Sequence, residues 1–396
     1  MGIHNYDRGL VTAKKRVLKA EMPEKSKELI LAMNDGLVLN GLSKPRLMKY
    51  LEVLKVVGTK LDMALDEVVE DDLKKIVSEI QQSNFSPWTK QTYKVIIRRF
   101  YKWLHKSEDY PAIVKWINIR MNRSETKLPS EGDLLNEEDI KKLLKVAEHP
   151  RDKAFVSMLW ESGARISELG NLKIKHVSFD KFGTVITVQG KTGSRKIRLI
   201  SSTPYASTWI NSRNCNGNDN LWINIGPKCH KKAMTYSNLG HLLKNLFRKA
   251  EIHKRSNAHL FRHSRATFMA NHLTEFQMNQ YFGWIQGSDM PSTYVHMSGK
   301  NVDNAILQMN GFEIEENSNQ SIMQPKKCVR CDTINANESK YCLKCGGVMD
   351  IQEAMNLQQS FEERKEADSV MDRLMKDKEV QRFLMEKMKG LGNNVL

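Results

Sequence analysis

Residues 177–200, VSFDKFGTVITVQGKTGSRKIRLI, turn to a period of two in a chain whose other patterned segments run at helical spacing. The alternation reads as three short strands, with turns over Asp180–Gly183 and Gly190–Ser194. Working outward, Asn136 followed by Glu137, Glu138 and Asp139 is a helix start, because a short polar side chain caps free N–H groups and carboxylates suit the positive end of the helix dipole. A helix over 137–147, another over 152–162 and a third begun by ARISELGNL (164–172) precede the strands, and helices resume after Pro204. The reading is a mostly α fold with a small antiparallel β-sheet in the central domain (α+β).

Residues 1–125 show no glycine-rich loop and no alternation, and read as a helical domain. Its clearest helix spans 86–105, with Ser86 as cap, Pro87 in the first turn, and Tyr93, Ile96, Ile97, Phe100 and Leu104 on one face. A second, from about Lys44 to Val57, buries Leu47, Tyr50, Leu51 and Leu54. On the first helix Lys90, Lys94, Arg98 and Lys102 recur every four residues and form a basic stripe able to lie along phosphates, or else a solvated face. The polar run RMNRSETKLPSEGD (120–133) reads as a linker, and EIEENSNQSIMQP (313–325) as a second.

Charge is distributed unevenly over the 396 residues. The total is +16, from 62 Lys+Arg and 46 Asp+Glu; 1–132 carry +7, 133–312 carry +11 and 313–396 carry −2. Two basic bodies ahead of a near-neutral tail favour a polyanionic partner, of which nucleic acid is the commonest inside a cell. Length excludes a small disulfide scaffold, and 40% hydrophobic with 27% charged residues excludes a disordered chain. No apolar run is long enough for a membrane span, and MGIHNYDRGL has no apolar signal core, so a reducing, cytoplasmic setting with no membrane partner is expected.

Cys328, Cys331, Cys342 and Cys345 lie as two CxxC pairs in KKCVRCDTINANESKYCLKCGG. Two such knuckles can close a tetrahedral thiolate shell around structural zinc, leaving no open position for catalysis. A rubredoxin-like iron site and disulfides are the alternatives. Residues 326–350 are thus expected to form a zinc ribbon, and 351–396 a charged, Met-rich helix whose stripe of Met371, Leu374, Met375, Val380, Phe383, Leu384 and Met388 packs on that ribbon or on a protein partner. Cys215 and Cys229 fall outside this spacing; they read as a surface thiol and a packing residue.

Five features between 160 and 300 remain. Arg165 lies in SGARISEL, Lys191 follows Gly190 in the strand turn, His259 and Arg262 share one side of a helix in HLFRHSRAT, Trp284 ends YFGW, and Tyr294 lies in MPSTYVH. Together they resemble the tyrosine recombinase (phage-integrase) family over roughly residues 40–312. GARISEL resembles its first-arginine box, with Glu168 at the supporting acidic position; Gly190-Lys191 its hairpin lysine; HLFRH its His-x-x-Arg box; and Gly283-Trp284 with Tyr294 the box that ends in the nucleophile. Trp284 stands where many members have histidine, with one extra residue before the tyrosine. Lys196 competes with Lys191, Tyr281 and Tyr205 are alternative tyrosines, and His263 reads as structural.

The resemblance implies a site-specific recombinase or integrase that cuts and rejoins double-stranded DNA without ATP or a catalytic metal. Tyr294 would attack and form a 3′-phosphotyrosyl link. Arg165 and Arg262 would stabilise the phosphate oxygens, Lys191 would protonate the leaving oxygen, His259 would take the tyrosine proton or bind phosphate, and Trp284 would donate its indole N–H. Glu168 would orient Arg165. It also implies a helical core-binding (SAM-like) DNA-binding domain at 1–125, a linker at 126–133 and a catalytic domain at 134–312. Assembly would give dimers on each DNA site and a synaptic tetramer, joined by the short apolar helix in 301–312, with a nucleoid-associated location. A type IB-like topoisomerase and a non-catalytic DNA-binding protein of the same fold are the competing readings.

Overall fold

The computed structural model describes residues 2–121, 130–190, 192–226, 231–298, 306–307, 309–310 and 323–391. Lys191, Cys229, half of the linker expected at 126–133, most of 301–312 and most of 313–325 lie outside them. No helix among the described residues is long and apolar enough to cross a membrane.

The chain divides into two compact units, 1–130 and 131–396. The first is entirely helical: α1 (Tyr6–Leu18), α2 (Glu24–Leu39), α3 (Lys44–Gly58), α4 (Glu70–Gln82), α5 (Pro87–Leu104) and α6 (Ala112–Lys115). The Ser86 side chain accepts from Thr89 N–H, and Pro87 occupies the first turn, where no backbone donor is missed. Tyr50, Leu54, Ile97, Phe100 and Tyr101 are buried together in the core. The Tyr101 hydroxyl donates to Leu65 O at 3.1 Å, and Ser26 Oγ accepts from Leu65 N–H at 3.0 Å, so the α4-side loop is held by polar bonds inside the core.

The second unit begins with α7 (Glu137–Val146), α8 (Pro150–Ser162) and the short α9 (Ile166–Gly170). Asn136 and Asp139 form a reciprocal capping box at the start of α7. Helix α8 is the central post: Ala154 through Ser162 are all buried, and α7, α10 (Thr203–Asn211) and α12 (Ala258–Ala270) pack around it. Strands β1 (Val177–Asp180), β2 (Gly183–Gly190) and β3 (Gly193–Leu199) form one antiparallel sheet in the order β1-β2-β3. Its register pairs Ile186 with Ile197 and Val188 with Arg195, so Ile186, Val188, Ile197 and Leu199 share a buried face with Arg195 among them. Helices α11 (Tyr236–Lys249), α13 (Glu275–Phe282) and α14 (Met290–Ser298) complete this part.

A cysteine module follows, with β4 (Lys326–Lys327) paired antiparallel to β5 (Ile334–Asn335). It docks on α10, where the Tyr205 hydroxyl donates to the Glu338 carboxylate. The single Met-rich helix expected after it is two helices, α15 (Ile351–Leu374) and α16 (Lys378–Leu391). The break has a local cause: the Asp377 carboxylate accepts from Glu379 N–H at 2.8 Å and so caps a new helix. Glu353 ties the first turn of α15 to Lys340 and Tyr341 of the module, but Met371, Leu374, Met375 and Phe383 are exposed.

Candidate active site

Arg262 is the hub. From the first half of α12 it donates through Nη1 to Gly163 O (3.0 Å) and through Nη2 to Phe282 O (2.7 Å), tying the α8–α9 corner to the end of α13. It is 5% exposed, with its guanidinium over the rings of Phe282 and Trp284. Burial, with the positive charge of Arg165 adding, lowers its pKa to about 10, which leaves it charged at neutral pH. Two carbonyls account for two of its five N–H groups, so it retains donors for an anion.

Glu168 organises a second cationic group. Its carboxylate accepts from Arg165 N–H (2.9 Å) and Nη1 (2.9 Å) and, as a fork, from Arg195 Nη1 (3.1 Å) and Nη2 (2.8 Å). Arg195 Nε donates to Tyr281 O at 2.8 Å, which fixes the arginine against the end of α13. Two glycines make room for this pair. A Cβ on Gly190 would come within 2.6 Å of Glu168 Oε1, and one on Gly283, whose φ is +61°, within 2.7 Å of Arg195 Nη1. Arg195 was not among the residues singled out in the sequence. Its signal is the alternation of β3, which sends 195, 197 and 199 inward and leaves Lys196 exposed.

Burial pushes the Glu168 carboxyl up, yet the hydrogen bonds and charge of Arg195, with those from Arg165, outweigh it and hold the pKa below the usual carboxylate value. Because the folded value is the lower one, this carboxylate stabilises the fold above its unfolded pKa of about 4.5 and loses that contribution as pH falls through the folded value. Glu168→Ala strands Arg195, whose side chain is 10% exposed, without its partner. The expected cost is about 3–5 kcal/mol, read by denaturant unfolding at pH 7, with a smaller difference from the parent in acid.

Tyr294 of α14 is 1% exposed. Its ring stacks on Trp284 with centroids 5.5 Å apart and planes within 5°, and Trp284 in turn stacks on Phe282 at 4.8 Å. The Tyr294 hydroxyl lies 2.8 Å from Nδ1 of His263, the residue read in the sequence as structural, rather than on His259. His259 and His263 stand one helical turn apart, with ring centroids at 6.0 Å. Burial lowers both imidazoles; Arg262 and Arg165 add to this at His259, and His259 and Arg262 at His263. Burial also raises the Tyr294 phenol, with the charge of Arg262 opposing.

The structure therefore brings Arg165, Glu168, His259, Arg262, Trp284 and Tyr294 into one region of the second unit. Lys191 lies outside the described residues, but both its neighbours border the site: Gly190 at Glu168, and Thr192, whose Oγ1 donates to Gly283 O at 3.2 Å. The alternative tyrosines are occupied elsewhere, Tyr281 on Glu161 O at 2.8 Å and Tyr205 on Glu338. In the first unit, Lys90 Nζ donates to Gln81 O at 2.7 Å. Arg98 lies over the Tyr110 ring at 3.9 Å, and Lys102 lies over the same ring at 5.5 Å. These three basic residues are thus partly engaged within the helical domain, and Lys94 sits half-buried between them.

Residues 133–300 match the family model described as "Phage integrase family". This segment is a phage-integrase domain. The protein is accordingly an enzyme that breaks and rejoins DNA strands, similar to the tyrosine recombinases. It is 24% identical over 292 residues to tyrosine recombinase XerD of Ralstonia nicotianae, covering 69% of this chain and 91% of that one. It is 25% identical over 246 residues to XerD of Vibrio cholerae, covering 59% and 77%. Among solved structures, the XerH site-specific recombinase in a post-cleavage complex with a palindromic difH substrate superposes with a TM-score of 0.55 at 18% identity, covering 77% of this recombinase and 95% of that chain. At that identity the likeness concerns the fold: mostly helical, with small antiparallel sheets.

The four cysteines of the module form the other candidate site. Their Sγ atoms all lie within 4.8 Å of one another, with Cys328–Cys345 at 3.6 Å and Cys331–Cys342 at 3.5 Å. A tetrahedral shell with metal–sulfur bonds of about 2.3 Å places sulfurs about 3.8 Å apart, so this donor set fits a zinc ion. Buried Asn335 braces it, donating to Cys342 Sγ at 3.5 Å and accepting from Leu343 N–H at 2.8 Å. None of the four, nor half-buried Cys215, is in a disulfide.

Proposed function

We propose that this site-specific DNA recombinase works through Tyr294, with Arg165, Lys191, His259, Arg262 and Trp284 in the catalytic set. The observation that carries the reading is the stack of Tyr294 on Trp284, whose ring also lies under the Arg262 guanidinium at 5.4 Å to the centroid. A phosphodiester resists attack because it is anionic, so catalysis asks chiefly for positioning and for fixed positive charge on its equatorial oxygens. Arg165 and Arg262 supply that charge, and Glu168 with Arg195 holds Arg165 in place. The Tyr294 oxygen attacks phosphorus, the bond to the 5′-oxygen breaks, and Lys191 protonates the departing oxygen. The 3′-phosphotyrosyl ester keeps the bond energy, so rejoining needs no ATP, and no step requires a metal.

On the same reading, residues 1–125 are the DNA-binding domain, its stripe Lys90, Lys94, Arg98 and Lys102 meeting the backbone of one duplex. The recombinase pairs on each site and assembles as a tetramer for exchange, in the cytoplasm on the nucleoid. The test is incubation of the protein with supercoiled plasmid and duplex DNA in EDTA without ATP, followed by denaturing gels. Relaxed plasmid and DNA-linked protein are expected; salt-sensitive binding with neither product would leave a binding module instead.

We assign the cysteine module to structural zinc, held by Cys328, Cys331, Cys342 and Cys345. Zinc there would cross-link β4 and β5 to the following knuckle and stabilise a module with little apolar core of its own. The exposed apolar residues of α15 and α16 make them the surface for a protein partner. Purified protein is expected to release about one zinc per chain to a mercurial reagent, read with a colorimetric chelator, and Cys331→Ser much less. Iron in place of zinc, or no metal in protein purified without chelator, would overturn the assignment.

A further inference from the structure

Resting on that reading, we propose that His263, not His259, receives the proton of the attacking Tyr294. The geometry is direct: Tyr294 Oη and His263 Nδ1 are 2.8 Å apart, across the packed pair α12 and α14. The resemblance read in the sequence has His259 take the tyrosine proton or bind phosphate. In the folded protein the ring that meets the hydroxyl is one turn further along.

The chemistry is balanced. With its own proton on Nε2, neutral His263 presents the Nδ1 lone pair to the phenol. As the Oη–P bond forms, the phenolic proton passes to Nδ1; as the P–O5′ bond breaks, its electron pair stays on the 5′-oxygen, which takes a proton from Lys191. On rejoining, the 5′-hydroxyl attacks, and His263 returns its proton to the tyrosinate leaving group. The groups around the imidazole favour its neutral form: it is substantially buried, and His259 and Arg262 on its own helix both oppose a second positive charge. A neutral imidazole is the form that can accept. His259, beside both Arg262 and Arg165, is then free to donate to a phosphate oxygen.

A role in chemistry and a role in packing make different predictions. His263→Gln and His263→Asn are to be compared with the parent for adduct formation on a library of nicked duplexes with a randomised core. Each is made both with tyrosine and with site-specifically incorporated difluorotyrosine at 294, whose phenol ionises more readily. Expected is a loss of roughly 100-fold or more with tyrosine and recovery of much of it with difluorotyrosine, DNA affinity and melting temperature staying near those of the parent. His259→Gln should lose rate without that recovery. Unchanged rate, faster reaction (a bond that restrains the nucleophile), or a loss that the acidified phenol does not relieve would overturn the proposal. A parent protein that forms no adduct at all would instead remove the phosphotyrosyl reading beneath it.

Discussion

Tyr294→Phe removes one oxygen and is expected to abolish strand cleavage altogether, with DNA binding kept. The ring is the part that packs: it is 1% exposed and stacked on Trp284, and phenylalanine preserves that stack. Only the hydrogen bond to His263 is lost from the fold, about 1 kcal/mol of stability. Neither alternative tyrosine is placed to substitute, since the Tyr281 hydroxyl is spent on Glu161 O and that of Tyr205 on Glu338. Supercoiled plasmid should therefore stay supercoiled and denaturing gels should show no DNA-linked protein. A melting curve within a few degrees of the parent would show that chemistry, not folding, was removed.

Arg262→Lys should be the next most damaging change, by about 10³–10⁵-fold in the rate of adduct formation. Lysine keeps one charge but has a single ammonium, which cannot bond to Gly163 O and Phe282 O and still present donors to phosphate. Arg262→Ala should also unfold more easily, because both buried carbonyls lose their partner. Single-turnover cleavage separates the effects: Arg262→Lys should saturate with DNA near the parent concentration yet react far more slowly. A change confined to DNA affinity would instead make Arg262 a binding residue only.

Much of this architecture was legible from residue patterns. The period-two run of 177–200 is β1, β2 and β3, because a half-buried sheet shows its inward and outward faces in alternation. Likewise Ser86-Pro87 starts α5 by a mechanism local to those two residues. What depends on tertiary docking was not legible. His263 follows Arg262 directly and points elsewhere on the helix; only the placement of α14 decides which imidazole meets Tyr294. Its spacing of four from His259 was nonetheless a readable sign that the two share a face. Arg195 acquires its role from Glu168, 27 residues away and on another element. The basic stripe was legible as a stripe, but not the folding back of Tyr110 beneath Arg98 and Lys102. In the C-terminal segment, Asp377 ahead of Glu379 carried a capping signal that the long apolar stripe obscured.

Tyr294 is the residue proposed to become joined to DNA. This is tested most directly by trapping the adduct on nicked duplexes, digesting both DNA and protein, and locating the residual nucleotide by tandem mass spectrometry. A 3′-phosphonucleotide is expected on the Tyr294 hydroxyl and on no other side chain. Modification of Tyr281, Tyr205 or a serine, or DNA cut with nothing attached to the protein, would contradict it.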